Sequence, residues 1–334
     1  MSNKKIIIID NSNLSYSGHD INGEVLRGTE TSLILLAEHL APKGYHVDFC
    51  TNINQNINYK NVNYFNKNII NRNTLYDLAI AVSDSNQFDL VRAKKKAIFS
   101  VSNQPFEKFL RKKQLFSFFK HKPYVITLCN YQHNKRSFIT SFFGKKMIPI
   151  AVDPKFLNLE IDLDYLPKKK VIYNIRSNRN LDWLLDIWCN KIFPYSKDSE
   201  LYITPNIIAY NDDLKNNNIF LRNIKSRSEM IDEMKHYRAL TYIGHKSDIF
   251  TLTCEEAVKM CMPVVTYGIG SVSDRVIHNK TGFIVKSDQE FANYTLKILN
   301  DDNFYLNLKK KMHTLRHEND WNSIADMWIK FFLN

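Results

Sequence analysis

Residues 244–285 read GHKSDIFTLTCEEAVKMCMPVVTYGIGSVSDRVIHNKTGFIV, and the order of elements in this stretch decides the fold. Thr253 precedes the apolar-periodic residues Ala257, Met260 and Cys261, and Glu256 lies three positions after it. That is capping-box spacing, so a helix is expected to start there and to stop at Pro263. Val264, Val265, Thr266 and Tyr267 then read as a buried strand. Gly268-Ile269-Gly270-Ser271 is a turn, and Ser273 and Asp274 suit the first turn of a second helix. A strand that feeds a helix through a glycine turn is an anion site, because free N–H groups and the helix dipole favour phosphate there. One GxG is weak evidence by itself; a tight turn and nothing more is the plain alternative.

Working outward, 334 residues have room for about two domains. An apolar content of 44% with 24% charged residues fits a globular chain, and no apolar run reaches the ~20 residues of a membrane span. The five cysteines are scattered, odd in number and free of CxxC spacing. That favours a reduced, cytoplasmic setting without structural zinc. The net charge of +12 is concentrated. Between Arg92 and Lys146 there are 14 Lys and Arg against one acid, Glu107, which points to an anionic partner. Within this block residues 106–120 read as one basic amphipathic helix, with Phe106, Phe109, Leu110 and Phe116 on a shared side. The pattern is that of a membrane-surface segment. A core helix with a solvated basic face is the ordinary alternative. Single-stranded nucleic acid is a third reading that no RNP or KH pattern accompanies.

In chain order, residues 4–10 read as a first strand buried on both faces. A polar loop, Gly28-Thr29-Glu30, a helix through Leu33, Leu36, Ala37 and Leu40, and a strand at 46–51 follow. Residues 52–73 are Asn-rich and read as surface loop with one edge strand near 62–65. A strand at 171–175 opens a second half, followed by a loop with Arg176 and Arg179 and a helix at 183–189. Trp321, Ile324, Ala325, Trp328 and Ile329 keep strict helical spacing in the tail.

Asp248, Phe250, Glu256-Ala257, Pro263-Val264-Val265, Gly270 and Thr281-Gly282-Phe283 together resemble the donor-sugar half of a retaining glycosyltransferase of the GT-B fold, family 4 type. Two positions depart from that pattern: Asp248 stands where Glu is usual, and Cys261 where Gly is usual. The resemblance implies an α/β chain of two Rossmann-like β/α/β domains facing across a cleft. The implied boundaries are 1–154 for an acceptor domain, 155–169 for a linker, 170–315 for a nucleotide-sugar donor domain, and 316–334 for a helix returning to the first domain. The implied reaction moves a sugar from a nucleotide diphosphate sugar to a glycan, lipid-linked or polysaccharide-precursor acceptor, with retention and without a metal or other cofactor.

Residue roles follow from the same resemblance. Arg176 and Arg179 would face the donor diphosphate, where forked guanidinium groups stabilise charge that grows as the glycosidic bond breaks. Gly270, Ser271 and Val272 would offer backbone N–H groups to it, and Gly28, preceded by Arg27 in place of the usual first glycine, would approach it from the first domain. Glu256 would bind ribose hydroxyls, although the capping box gives it a structural task as well. Asp248 would position the sugar or stabilise its developing positive charge. His133 and His19 are candidates for a first-domain catalytic histidine, with surface or packing roles as the alternative. Asp162-Leu163-Asp164 spells a metal-binding DxD but falls in the expected linker. A catalytically weakened sugar-nucleotide-binding protein of the same fold and a basic nucleic-acid-binding protein are the rival readings; the favoured one has a donor, an acceptor and an anionic membrane surface through 92–146 as partners, and no nucleic acid. It places the chain in the cytoplasm, peripherally on the inner face of a membrane.

Overall fold

The computed structural model describes residues 4–23, 26–176, 178–204, 212–223, 226–317 and 319–334. Contacts divide the chain into two units, Met1–Asp153 with Asn319–Asn334, and Pro154–Glu318.

The first unit is built on strands β1 (Lys5–Ile9), β2 (His46–Thr51), β3 (Ile57–Tyr59), β4 (Val62–Asn66), β5 (Leu75–Val82), β6 (Arg92–Phe99), β7 (Tyr124–Thr127) and β8 (Lys145–Met147). Their order is β3-β4-β2-β1-β5-β6-β7-β8, parallel throughout except for the β3–β4 hairpin at one edge. Ile6, Ile7, Ile8 and Ile9 are fully buried because β1 is central and covered on both faces, the setting in which a parallel strand reads as a continuous apolar run. Helix Gly28–Leu40 covers the sheet and packs in turn under the C-terminal helix Trp321–Phe332. Trp321 donates to the Val152 carbonyl at 2.9 Å and Trp328 stacks near Phe99, which fixes that tail on the first unit.

The basic segment differs from the expectation of one helix. It forms two, Phe106–Arg111 and Leu115–His121, broken where Lys113 takes a left-handed φ of 52°. The break lets Gln114 turn inward, where its amide donates to the Ser83 carbonyl. Phe109 and Phe118 then enter the core, while Leu110 and Phe116 face outward. The shared apolar side read from sequence is therefore split between core and surface. In the Asn-rich segment two short strands, β3 and β4, replace the single edge strand expected there.

The second unit carries β9 (Lys170–Tyr173), β10 (Glu200–Ile203), β11 (Ile219–Leu221), β12 (Ala239–Thr241), β13 (Val264–Thr266) and β14 (Gly282–Ile284) in the order β11-β10-β9-β12-β13-β14, all parallel. Growth of this sheet reverses between β9 and β12. That reversal opens a crevice at the carboxyl ends of those two strands. Residues 155–169 pack on the unit: Phe156 is fully buried, Arg316 donates to the Phe156 and Leu159 carbonyls at 2.8 Å, and Lys309 donates to those of Asp162 and Tyr165. Asp162 caps a local turn, accepting from the amides of Asp164 and Tyr165. Asp164 pairs with Lys310. Those letters thus serve a loop. Among the described residues no group of three or more His, Cys, Asp or Glu could hold a metal ion, and no helix is long and apolar enough to cross a membrane.

Candidate functional site

Three loops meet at the β9/β12 switch point. The loop after β9 brings Arg179, the loop after β12 brings Gly244, His245 and Asp248, and the loop after β13 brings Gly268 to Val272. Tyr173 ends β9, and its hydroxyl lies 2.9 Å from the carbonyl oxygens of both Arg176 and Arg179, holding the first loop in a coil. Asn180 closes that coil with a left-handed φ of 64° and donates to the Gly244 carbonyl at 2.9 Å. Arg179 is thereby turned toward the second loop. Its Nε lies 3.3 Å from Asp248 Oδ1, and its Nη1 donates to His245 Nδ1 at 3.1 Å. His245 Nδ1 also accepts from the Ser247 amide, so the neutral ring carries its proton on Nε2.

Asp248 is held from the other side by the Tyr242 hydroxyl. Burial, then the hydrogen bond and charge of Asp248, push the Tyr242 phenol well above its ordinary range, so it remains a donor. The Asp248 carbonyl accepts from the Ser271 amide at 3.1 Å, and the Ser271 hydroxyl lies 2.6 Å from that of Thr251. The glycine loop therefore sits against the loop after β12. Gly270 has a φ of 78°, and a Cβ there would stand 2.2 Å from the His245 carbonyl oxygen. Only glycine fits both the dihedral and the gap.

The helix expected from Thr253 runs over Leu252–Lys259 instead, with Thr251 at its N-cap and no capping box. Glu256 is in the second turn, so it cannot reach back to cap. It is buried and accepts from Arg227 Nη2 at 3.2 Å, and Arg227 lies over the Phe156 ring. One position earlier, Glu255 forms a buried ion pair with Arg275, tying this helix to the 3-10 turn Gly270–Asp274. That turn stands where a second helix was expected.

The structure thus joins Arg179, Asp248, Gly270 and Ser271. The Arg176 side chain is exposed and Val272 is buried as an apolar residue. Glu256 lies in its own pair with Arg227. His133 and Gly28 are in the first unit. His133 Nδ1 is 2.9 Å from Thr127 Oγ1, and burial followed by the charges of Lys145 and Lys146 lowers its pKa, favouring the neutral ring. His19 is exposed and rests on the Tyr59 ring at 4.1 Å. Sequence reasoning missed Tyr242, His245, Thr251 and Arg227. His245 was within the quoted stretch, next to Gly244; nothing local marks Tyr242 or Arg227.

The first unit has a polar group of its own where β1 ends. Asp10 accepts from the Ser12 amide and hydroxyl and from Tyr16 at 2.8 Å. Glu30, in the first turn of helix Gly28–Leu40, is buried, and its Oε2 has no hydrogen-bond partner among the described residues. Burial raises its pKa, with the Asp10 charge adding to the effect. The folded state therefore holds the Glu30 proton more tightly than the unfolded chain does. Stability is fullest below the ordinary glutamate range and falls as pH rises through the raised folded value. Glu30→Gln should thus melt higher than the wild type near pH 8 and at nearly the same temperature near pH 4. An equal gain at both pH values would contradict the assignment.

Residues 207–314 match the family described as glycosyl transferases group 1. Over nearly the whole chain, solved structures share the architecture. Anabaena Alr3699/HepE in complex with UDP-glucose superposes with a TM-score of 0.70 at 13% identity, covering 98% of each chain. The fold is GT-B. Sucrose-phosphate synthase from Thermosynechococcus elongatus gives 0.69 at 15% identity over 98% of each chain. WaaG, a glycosyltransferase involved in lipopolysaccharide biosynthesis, gives 0.64 at 10% over 98% of this chain and 100% of that one. No curated protein matches in sequence. The resemblance read from sequence is borne out in the GT-B fold and, over residues 207–314, in the match to glycosyl transferases group 1. At Cys261 the structure shows why glycine is the usual residue: the position has a φ of 57° just after helix Leu252–Lys259, which glycine adopts without strain, and nothing in the structure explains the cysteine.

Proposed function

We propose that the protein is a retaining glycosyltransferase that takes a sugar from a nucleotide diphosphate sugar and places it on a glycan, lipid-linked or polysaccharide-precursor acceptor. The observation that carries the reading is Arg179, held by Asp248 and His245 at the β9/β12 switch point of a chain that matches the group 1 family. Two guanidinium nitrogens are used by the protein. Both Nη2 donors and the second Nη1 donor are left for phosphate oxygens, and the charge they meet grows as the glycosidic bond breaks. Arg176 and the Gly270-Ser271-Val272 turn would complete the diphosphate cradle, and Gly28 is the candidate donor-binding residue of the first unit. Glu256 would take the ribose hydroxyls, exchanging or sharing its contact with Arg227. Asp248 would orient the sugar. Retention follows if the acceptor attacks on the face the leaving group vacates, with the departing phosphate accepting the acceptor's proton. His133, whose lowered pKa favours the neutral ring, is the candidate catalytic histidine of the first unit; it would hydrogen-bond a substrate hydroxyl and take no proton, which goes to the departing phosphate. No metal takes part in this reading.

HepE was solved with UDP-glucose, which makes uridine diphosphate sugars the first donors to test. Free cysteines throughout fit a reducing, cytoplasmic setting. The test is a donor panel followed by NMR of the product's anomeric proton. An α-linked product from an α-linked donor is expected. A β-linked product would sink retention. Donor binding with neither transfer nor hydrolysis would favour a weakened, binding-only protein.

A further inference from the structure

The first unit exposes an aromatic patch with no role in donor chemistry. Phe116 and Phe138 are 78% and 74% exposed, and Phe119, Phe142, Leu110 and Ile139 extend the same apolar surface. Two separate segments build it. Phe116 and Phe119 are three residues apart on helix Leu115–His121 and share a face. Phe138 and Phe142 bracket the 3-10 turn Ile139–Ser141, with ring centroids 5.6 Å apart, and Phe142 reaches Phe119 at 6.2 Å. An inner layer, Phe143 on Phe118 at 5.1 Å, seats these rings on the core.

The patch is held in shape. Buried Arg136 donates to the Thr140 carbonyl at 3.0 Å, to Ser100 Oγ and to Gln104, which pins the turn carrying Phe138 and Phe142 to the loop after β6. Such a supported apolar surface marks an interaction site, because soluble monomers seldom leave one bare. Its surroundings are basic. Arg111, Lys112 and Lys113 lie exposed between the two helices and carry no ion pair among the described residues; Lys122, Lys135, Lys145 and Lys146 are exposed as well. The opposing groups are few: Asp89 pairs with Lys120 and His121, and Glu107 is the one acid in 92–146. Like charge is dense enough that Lys108, first desolvated, is lowered further by Lys112 and Arg111.

We infer that this surface seats the protein on an anionic lipid bilayer, with Phe116, Phe119, Phe138 and Phe142 entering the interface and the basic side chains meeting headgroup phosphates. Rings with flanking Lys and Arg suit the boundary between acyl chains and charged headgroups. A second copy of the chain fits poorly, since it would bring the same positive field against its own. The inference does not depend on the sugar-transfer reading, so loss of one leaves the other standing.

Flotation of the full chain with phosphatidylcholine vesicles, with and without phosphatidylglycerol, tests it. Binding is expected only to the anionic vesicles, weakening as salt rises. F116S/F138S and, separately, K112E/K113E should each weaken it at least tenfold, with unchanged melting temperatures. Because Phe116 and Phe138 are exposed, the first variant folds. In Phe116→Trp, vesicles should shift the Trp emission to the blue, and brominated lipid should quench it. Three outcomes would overturn the inference: equal flotation with neutral vesicles or none at all, loss of a concentration-dependent dimer in F116S/F138S, or an oligonucleotide that binds through the same rings more tightly than vesicles do.

Discussion

Arg179→Ala should lower the turnover of sugar transfer by about 10²–10³-fold, the usual loss when one fixed donor to a developing charge is removed. Its effect on stability should be small, about 1 kcal/mol, because the Arg179–Asp248 contact is partly exposed and solvent-screened. Asp248 keeps its bond from Tyr242, and His245 keeps the Ser247 amide, so the loops stay in place. Arg179→Lys separates charge from geometry. An ammonium has three donors but all on one nitrogen, so it cannot reproduce the spacing by which Nε faces Asp248, Nη1 faces His245 and Nη2 points elsewhere, and lysine should recover little of the rate. Full recovery in the lysine variant would mean that charge alone matters and would remove the argument from the fork. Steady-state rates at saturating donor, with melts as the folding control, decide this.

Gly270→Ala should be strongly destabilising. The left-handed φ costs any side chain strain, and the new Cβ would press on the His245 and Asp248 carbonyl groups, which are backbone and cannot rotate away. Strain and overpacking together are expected to cost about 3–5 kcal/mol, roughly a ten-degree fall in melting temperature for a unit of this size. Gly268→Ala is the matched control in the same loop. It shares a positive φ, but its Cβ would meet the Ile284 Cγ2 methyl, the end of a side chain that can move. It should lose markedly less. Equal losses would show that the dihedral, and not the close approach of the two loops, makes glycine necessary.

The stretch 244–285 carried the fold because its strand, turn and strand are local, and β13 and β14 lie where their apolar runs predict. The capping box was legible in letters and absent in fact. Thr251 is at the N-cap, its hydroxyl lying against that of Ser271, and this tertiary contact sits two residues before the local signal at Thr253. The basic segment failed in a similar way. Its helical periodicity is continuous, yet Gln114 finds a partner at Ser83, and the turn at Lys113 follows. Arg179 could be read from its loop. Tyr242 could not, because its role exists only once β12 lies beside β9 and points its last residues at the same crevice. Arg227 is hidden likewise: its task is set by Glu256, 29 positions away.

The central claim is that the crevice at the ends of β9 and β12 holds a nucleoside diphosphate through Arg179. Calorimetric titration of the wild-type chain and of Arg179→Ala with UDP, and then with GDP and ADP, tests it most directly. Saturable binding of one of these to the wild type, weakened roughly ten- to hundredfold in the variant by loss of a charge-assisted hydrogen bond, is the predicted result. No binding of any of them, or equal affinity in both proteins, would contradict it.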